Sequence, residues 1–340
     1  MNINKEILKT IKYFSFFAYY PTLEEIHTFL QAKISKNELN IELDYMVKLK
    51  LIELYARYTP PQYSMGGIKN NNETMKQWNN LHKRRQISQF KLNSFRFKLY
   101  IKLLSIFPQI KLVGLSGSIS MMNAKEDDDI DLFIVTAKNR LFTGRFIALV
   151  FAQILGLRRS RDSATQIFQK TYKTEKFTFA SSQKQKSSLS SNNETMKQLN
   201  NKVRNKVCLN LIFDESNLKL PYIKQTEFVG HEVLQMKPIM VRGDIYERFL
   251  GANGWVFKLF PNANISVSRL GRDQIKSTGS PTRSGMTSQF LIFSFLEAIL
   301  KKLQLNLINK HKTSEIITPT QLWFHPDDFE KKIKKAKLSA

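Results

Sequence analysis

The sequence predicts an α+β protein in which a mixed β-sheet flanked by helices lies between a small N-terminal domain and a C-terminal helical region. Helix-capping signals and helical spacing fill the first 50 residues, apolar runs with strand character flank a Gly-Ser pair near the middle, and helical periodicity returns after residue 213. We therefore predict three parts: a first domain at 1–68, a core at 69–220 with an inserted polar loop at 180–205, and a helical region at 221–340.

Composition limits the class of protein before any motif is considered. The chain has 340 residues, 42% of them hydrophobic, which is enough for two or three packed domains. Its single cysteine, Cys208, excludes a disulfide within one chain and fits a reducing compartment. The N-terminus lacks the apolar stretch of a signal peptide, and the apolar run at 146–157 is shorter than the roughly 20 residues that span a bilayer. We expect a cytoplasmic protein without a membrane segment.

A net charge of +25 favours anionic partners such as nucleoside triphosphates or nucleic acid. The stretch from Thr74 to Lys125 contains ten Lys or Arg residues and no Asp or Glu. Its basic residues fall on a predicted helix that ends near Phe107 and leads towards the Gly-Ser pair. A positively charged approach to a triphosphate and an ordinary solvated helix face explain this run equally well.

The first domain is predicted to contain three helices followed by a hairpin. Thr22 with Glu25, and Ser35 with Glu38, have the spacing of capping boxes, in which the hydroxyl and the carboxylate each accept a backbone N–H. Alternation from residue 51 to 58 predicts a strand, and residues 62–65 are its predicted return. This order of elements is typical of a winged-helix domain.

The third helix of this domain does not suit DNA reading. It carries Glu38, Glu42 and Asp44 in its first two-thirds, and these acids offset its lysines. A helix that faces phosphates is expected to be basic. We therefore favour packing or partner docking over DNA recognition as the role of this domain.

Two ten-residue segments, 71–80 and 192–201, match at nine of ten positions. Two copies so far apart lack the regular period of stacked repeats, so we interpret them as an inserted element in surface loops. The second copy lies in a polar tract, residues 181–205, which we predict to be a mobile loop; residues 266–288 form a further loose segment. Helices are predicted beyond residue 213, at 227–239, 246–259 and 289–310.

Asp129 and Asp131 provide the first part of a predicted site. They open the apolar strand that runs to Thr136, and because side chains alternate along a strand, both point to the same face with Cα atoms roughly 6.5 Å apart. Two carboxylates placed this way repel each other unless a cation lies between them. Hard oxygen ligands with open coordination positions suit Mg²⁺, which takes one or two carboxylates together with substrate phosphates.

Gly117 and Ser118 provide the second part. They follow the apolar strand at 111–116, where a glycine allows close backbone approach and positive φ, and Ser118 is expected to cap the short helix that follows. Backbone N–H groups at this helix start suit a phosphate. If the two strands are neighbours, the turn holds a triphosphate beside the metal-binding carboxylates of Asp129 and Asp131.

The ordered pattern of Gly117-Ser118, ten intervening residues, and Asp129-Ile130-Asp131-Leu132 resembles that of the nucleotidyltransferase superfamily, which includes DNA polymerase beta and kanamycin nucleotidyltransferase. The motif covers about 25 residues. More loosely, the whole chain resembles bacterial proteins that join a winged-helix-like N-terminus to this core. The resemblance implies the nucleotidyltransferase fold, Mg²⁺ as cofactor, a nucleoside triphosphate such as ATP as substrate, and transfer of its nucleoside monophosphate to an acceptor.

The resemblance also implies a third acid on a later strand, acting as base for the acceptor hydroxyl. On the predicted strand at 207–214, Asn210 stands where that acid is expected, and Asp214 follows four residues later on the same face. Either Asp214 acts from the end of the strand, which is the catalytic assignment that we predict, or the third acid is missing. An amide cannot accept the proton.

Arg140 and Arg145 follow the second strand and are candidate nucleotide-binding residues, although a solvated helix start would explain them as well. His231-Glu232, and the His-Pro-Asp-Asp stretch at 325–328, have no metal-ligand spacing to other residues and are interpreted as structural. Three functions stay open: an enzyme acting on an RNA, protein or small-molecule hydroxyl, a catalytically degenerate module that binds a nucleotide or partner, and a winged-helix regulator, which the acidic third helix disfavours.

Overall fold

A computed structural model describes residues 3–55, 60–66, 71–158, 203–263, 288–310 and 315–324. The first domain has the predicted order: helices α1 (Ile3–Ser15), α2 (Leu23–Phe29) and α3 (Lys36–Lys48), then an antiparallel hairpin of β1 (Ile52–Tyr55) and β2 (Gln62–Met65). Both capping boxes are present, with Thr22 and Ser35 as N-caps. These helices bury an apolar cluster of their own that includes Ile7, Leu39 and Ile52.

In the described residues, the core is a mixed sheet of six strands in the order β6-β3-β4-β5-β8-β7. The strands are β3 (Ile110–Leu115), β4 (Ile130–Thr136), β5 (Val207–Asp214), β6 (Lys237–Val241), β7 (Ile316–Ile317) and β8 (Gln321–Trp323). The central strands β4 and β5 pair in parallel, and every other pairing is antiparallel. The α+β class that the sequence predicts is confirmed.

Alternate residues of the central strands face two separate apolar cores, which is why β3 and β4 are almost continuously apolar. Phe133 and Val135 pack on one face of the sheet, and Leu132 and Ile134 pack on the other. Helix α7 (Leu141–Ile154) lies within the connection between β4 and β5, since parallel neighbours need a crossover. Its N-terminal amides on Phe142 and Thr143 each donate to a carboxylate oxygen of Glu297, at 2.8 Å.

The basic stretch before the sheet is two helices, where one was predicted. They are α4 (Asn71–Asn93) and α5 (Phe95–Leu104), and they meet at Ser94, whose hydroxyl accepts from the amide of Phe97 and caps α5. The first copy of the ten-residue repeat therefore lies in a helix, and its interpretation as a surface-loop insertion was wrong. The second copy, like most of the polar tract at 181–205 and of the segment at 266–288, lies outside the described residues.

The region beyond residue 221 is less helical than predicted, and it is part of the sheet. Its helices are α8 (Glu227–Gln235), α9 (Ile245–Ala252), α10 (Trp255–Leu259) and α11 (Ser288–Asn309). The helix predicted at 227–239 ends early because Pro238 lacks a backbone N–H; Pro238 instead lies in β6, an edge strand, which is where a sheet tolerates proline. The helix predicted at 246–259 breaks at Asn253-Gly254.

The first domain packs against the core through an aromatic cluster and through hydrogen bonds from Asn262, Asn123 and Arg84. The ring of His231 stacks on Tyr13 and Phe29, with centroids 3.8 Å and 4.2 Å away. The side chain of Asn262 accepts from the amide of Ile34 at 3.0 Å and donates to the carbonyl of Ala32 at 2.7 Å. Among the described residues, no helix combines the length and the apolarity needed to cross a lipid bilayer.

Candidate active site

The Gly-Ser turn and Asp131 meet at one edge of the sheet. Strands β3 and β4 are antiparallel neighbours, with Leu115 opposite Leu132, and the amide of Ser116 donates to the carbonyl of Asp131 at 3.0 Å. This is the adjacency that the sequence argument required. Gly117 then turns the chain with φ of +60°, in the left-handed region that favours glycine.

Gly117 is also required by the closeness of the carboxylate. A Cβ atom placed on Gly117 would lie 2.5 Å from Oδ2 of Asp131, which is closer than real Cβ contacts allow. The glycine therefore makes room for Asp131, a reason separate from the phosphate approach that the sequence suggested. Any side chain at this position would displace the carboxylate.

Ser118 does not cap the helix that follows the turn, so that part of the prediction was wrong. Helix α6 (Gly117–Ser120) is a single turn whose N-cap is Ser116, and the hydroxyl of Ser118 instead donates to Oδ2 of Asp128 at 2.9 Å. A helix of one turn adds little macrodipole. The turn therefore offers an anion its backbone N–H groups and the Ser118 hydroxyl.

Asp131 lies in an electrostatic environment that disfavours its charge. The pKa of its carboxyl is raised to about 7, first by burial and then by the charges of Glu232, Asp129 and Asp128. A hydrogen bond from Nδ2 of Asn210 to its Oδ1, at 2.6 Å, acts in the opposite direction. A cation bound at this carboxylate would remove that penalty.

Asp129 is almost fully buried, with 8% of its side chain exposed, and Nε of Arg204 lies 3.4 Å from its Oδ1. A second cation approaches from α4: the fully buried Lys91 donates from Nζ to the carbonyls of Lys125 and Asp128. Both cations offset the clustered acids within the protein itself. Arg204 was missed because it lies in the polar tract predicted to be a loop.

Asn210, and not Asp214, is the β5 residue beside the carboxylate pair. In the parallel β4–β5 ladder, Asp214 is the partner of Thr136, five residues and about 16 Å along the strand from Asp131. Its Oδ2 accepts from the amide of Asn139 at 2.6 Å and its Oδ1 from the amide of Ser216 at 2.9 Å. The geometry therefore does not support the predicted catalytic role of Asp214. Its carboxylate instead stabilises the turns at Asn139 and Ser216, at the far end of the sheet.

Arg140 and Arg145 also lie away from the turn. They belong to the start of α7, which follows the far end of β4, and the α7 amides there are occupied by Glu297. Nη1 of Arg145 donates to Oε1 of Gln304 at 2.7 Å, and its guanidinium lies 4.9 Å from the centroid of the Phe324 ring. The structure does not bring either arginine to the predicted triphosphate position.

Glu232 is the acid that the sequence argument missed. It projects from α8 to the turn, where its Oε2 accepts from the amide of Gly117 at 3.3 Å, and its charge is the second-largest contribution to the raised pKa of Asp131. From the sequence, Glu232 is interpreted as structural because it has no metal-ligand spacing to other residues, and it lies 101 residues beyond Asp131. Only the tertiary fold brings it to the turn.

The donor set at this edge is chemically suited to Mg²⁺. Asp129 and Asp131 supply carboxylate oxygens, the ligand type that this ion prefers, and two carboxylates leave positions for phosphate oxygens. Within the described ranges, no three His, Cys, Asp or Glu side chains converge closely enough to form a metal cluster by themselves.

The chain matches no family model, no curated protein and no solved structure.

Proposed function

We propose that this protein is a Mg²⁺-dependent nucleotidyltransferase, which transfers a nucleoside monophosphate from a nucleoside triphosphate to an acceptor hydroxyl. The observation that carries the proposal is the contact between Asp131 and Gly117, which sets a carboxylate beside backbone N–H groups suited to phosphate. We further infer that the core has the nucleotidyltransferase fold, that the first domain is a winged helix, and that the protein is cytoplasmic.

In this proposal Asp129 and Asp131 hold Mg²⁺, and the turn at Gly117 and Ser118 holds the triphosphate. The bound ion would neutralise phosphate charge and orient the triphosphate for in-line attack. The amide of Gly117 cannot donate to a phosphate and to Glu232 at once, so nucleotide binding displaces the Glu232 carboxylate from this amide.

The released carboxylate of Glu232 is the candidate base. The acceptor oxygen attacks the α-phosphorus, the bond from that phosphorus to the bridging oxygen of the β-phosphate breaks, and pyrophosphate leaves. Glu232 accepts the hydroxyl proton, which neither Asn210 nor the distant Asp214 can do. Glu232 would thus supply from a helix the acid that the resemblance places on a strand.

The test is to incubate the protein with each labelled nucleoside triphosphate, Mg²⁺ and total cellular RNA or lysate, and to measure label transfer and pyrophosphate. Asp129→Asn and Asp131→Asn should each reduce both products by more than about 100-fold, because several kcal/mol of charge stabilisation are lost. The matched control is Asp127→Asn, an exposed neighbour, which should retain activity. Transfer that persists in the Asp129→Asn/Asp131→Asn double variant would refute this site.

A second function is favoured by one observation, the presence of Asn210 beside Asp131. With an amide in place of a third strand acid, the same core would be a module that binds a nucleotide and performs no transfer. Calorimetry separates the two proposals: tight Mg²⁺-dependent nucleotide binding without pyrophosphate release, for every nucleotide and acceptor mixture, supports the module.

A further inference from the structure

A large cavity lies beside the candidate active site, between the first domain and the core. It has a volume of 1230 Å³, larger than the roughly 300–1,000 Å³ of most small-molecule pockets. Residues of α2, α4, α5 and β6 form its walls. The end of β3 and the last residue of α6 also line it, through Leu115 and Ser120, so the cavity adjoins the segments on either side of Gly117.

The cavity carries more positive charge than its own acids neutralise. Arg85, Lys98 and Lys237 line it, and in the described part of the structure their side chains make no hydrogen bond or ion pair. Arg85 and Lys237 are near enough to repel each other electrostatically, although Glu25 attracts Lys237.

The two acids of the cavity wall do not balance its three cations. Glu24 pairs with Lys36 on the first domain. Glu25 accepts from the hydroxyl of Tyr19 at 2.6 Å and from the amide of Thr22 at 2.9 Å. Three cations therefore face the cavity against one carboxylate without a cation of its own, that of Glu25, whose hydrogen bonds come from neutral groups. This excess of positive charge is typical of an anion-binding surface.

The rest of the lining is apolar and partly aromatic. Phe97 and Tyr246 border it with rings that are themselves buried, and Met121 and Ile239 contribute partly exposed apolar surface. A small inorganic anion would leave this surface and most of the volume unused, and a fatty acid would bring a single charge to three cations. A polynucleotide single strand offers both properties at once, because phosphates alternate along it with planar bases that stack on apolar side chains.

We propose that this cavity binds a single-stranded polynucleotide, with Arg85, Lys98 and Lys237 contacting its phosphates. If the proposed function is correct, this polynucleotide is the acceptor, and its terminal hydroxyl reaches the turn at Gly117 past α6. It also gives a use to the basic stretch between Thr74 and Lys125. There Lys91 points inwards to the site loop, Arg84 hydrogen-bonds to Asn123 and the first domain, and Arg85 and Lys98 face the cavity.

The test is fluorescence anisotropy with an end-labelled ten-nucleotide RNA, without nucleotide or metal, across a series of salt concentrations. The Arg85→Ala/Lys98→Ala/Lys237→Ala variant should bind at least tenfold more weakly. The slope of log affinity against log salt should shrink by about 2, since each phosphate contact on a single strand contributes about 0.7. The charge-matched control is Lys33→Ala/Lys301→Ala/Lys302→Ala, which removes three exposed cations outside the cavity and should bind like the wild type.

Equal weakening in the two triple variants would overturn the proposal, because net charge alone would then explain binding. Inorganic polyphosphate that binds as tightly as the RNA would also overturn it, since the apolar lining would contribute nothing. The Lys98→Arg/Lys237→Arg variant keeps the charges and should keep the affinity, which guards against misfolding as the cause of a loss.

The two proposals fail separately. Binding of RNA to Asp129→Asn/Asp131→Asn protein with no transfer in the wild type would refute the enzyme and leave the cavity assignment standing. Transfer to a small-molecule hydroxyl in a protein that binds no RNA would do the reverse.

Discussion

At the scale of single residues, Asp131 determines how the site responds to protons and metal. Its carboxyl is buried next to other acids, so its pKa lies near 7 in the folded, metal-free protein, against about 4 in an unfolded chain. Between those values the folded protein keeps a proton that the unfolded chain has released. The free energy of unfolding therefore falls as pH rises from about 4 to 7, and it is lowest above that range.

Asp131→Asn should consequently stabilise the metal-free protein at pH 8, by about 2–4 kcal/mol, because the cost of the buried charge disappears. The amide can still accept the hydrogen bond from Asn210. Urea unfolding at pH 8 and pH 4 checks this. The gain should nearly vanish at pH 4, where the carboxyl of folded Asp131 is protonated and that of the unfolded chain is about half protonated. A gain of equal size at both pH values would show that the charge is not its cause.

Glu232→Gln tests the base that the geometry supports. The variant should lower kcat by about 100-fold or more, the usual size of general-base catalysis, because an amide cannot take up the acceptor proton. KM for the nucleotide should stay the same or fall, since a negative charge near the phosphate position is removed. Steady-state kinetics with saturating Mg²⁺ separate the two constants, and a variant with unchanged kcat would eliminate Glu232 as base.

Asp214→Asn is the matched comparison, since it makes the same kind of change in the acid that the sequence suggested. It should leave kcat unchanged and lower the free energy of unfolding by about 1–3 kcal/mol, because the carboxylate accepts from Asn139 and Ser216 at the far end of β5. Kinetics and urea denaturation on the same preparation provide both readouts. A fall in kcat comparable to that of Glu232→Gln would contradict the placement of Asp214.

The sequence predicts some of these residues and misses others for a physical reason. Gly117 and Asp131 were predictable because strand alternation and the glycine turn are local properties, readable within about 25 residues. The choice between Asn210 and Asp214 was not, because both have the same parity on β5. Only the register between β4 and β5, which shifts between Leu132 and Phe133, decides which of them lies beside Asp131.

At the scale of elements, α4 fixes the loop that delivers the acids to the sheet edge. Lys91 donates to two carbonyls of that loop, and Ser88 accepts from the amide of Ala124. The loop holds Asp128 and leads directly into Asp129. Helix α4 therefore supports the site. The sequence predicts either a solvated face or a positively charged approach to a triphosphate for its basic residues, and neither interpretation includes this role.

Lys91→Met should lower the free energy of unfolding by about 1.5–3 kcal/mol, because two buried carbonyls lose a charged donor. Lys83→Met is the control on the same helix: that lysine is 58% exposed and pairs with Glu126 of the same loop, and surface pairs contribute about 1 kcal/mol or less. Chemical denaturation of both variants gives the comparison. Equal losses of unfolding free energy in the two variants would mean that the buried Lys91 stabilises the protein no more than an exposed lysine does.

Element boundaries were predictable where the signal is chemical and local. Both capping boxes begin their helices at the predicted residues, because the cap involves side chains only three positions apart. Strands β6, β7 and β8 were missed because their pairing partners are distant in sequence, and short segments of two to five residues carry little periodicity. Pro238 was the one available signal against a helix there.

At the scale of the whole molecule, the first domain and the core are held together by a shared apolar cluster and by hydrogen bonds, those of Asn262 and those of Asn123 and Arg84 to the carbonyl of Phe17. Tyr13 and Phe29 of the first domain belong to the same buried cluster as Phe133 of the sheet. The cavity proposed for the acceptor lies between these parts, so its shape depends on how firmly they are joined.

Asn262→Ala should loosen this junction, since it removes the acceptor for the Ile34 amide and the donor to the Ala32 carbonyl. We expect a loss of about 1–3 kcal/mol and faster hydrogen exchange at the Ile34 amide. Asn262→Asp keeps the acceptor and should leave that amide protected. Unchanged exchange at Ile34 in the alanine variant would show that Asn262 does not hold the junction.

The position of β6 has a consequence for how the protein is made. Strand β3 obtains its outer neighbour from a segment that begins 122 residues after β3 ends, and Glu232 reaches the turn from the same distant segment. At typical translation rates the ribosome needs roughly 6–25 s to synthesise that interval, during which one edge of β3 has no partner strand. A nascent chain halted before α8 would carry the glycine turn and both aspartates, but it would have neither β6 nor the glutamate.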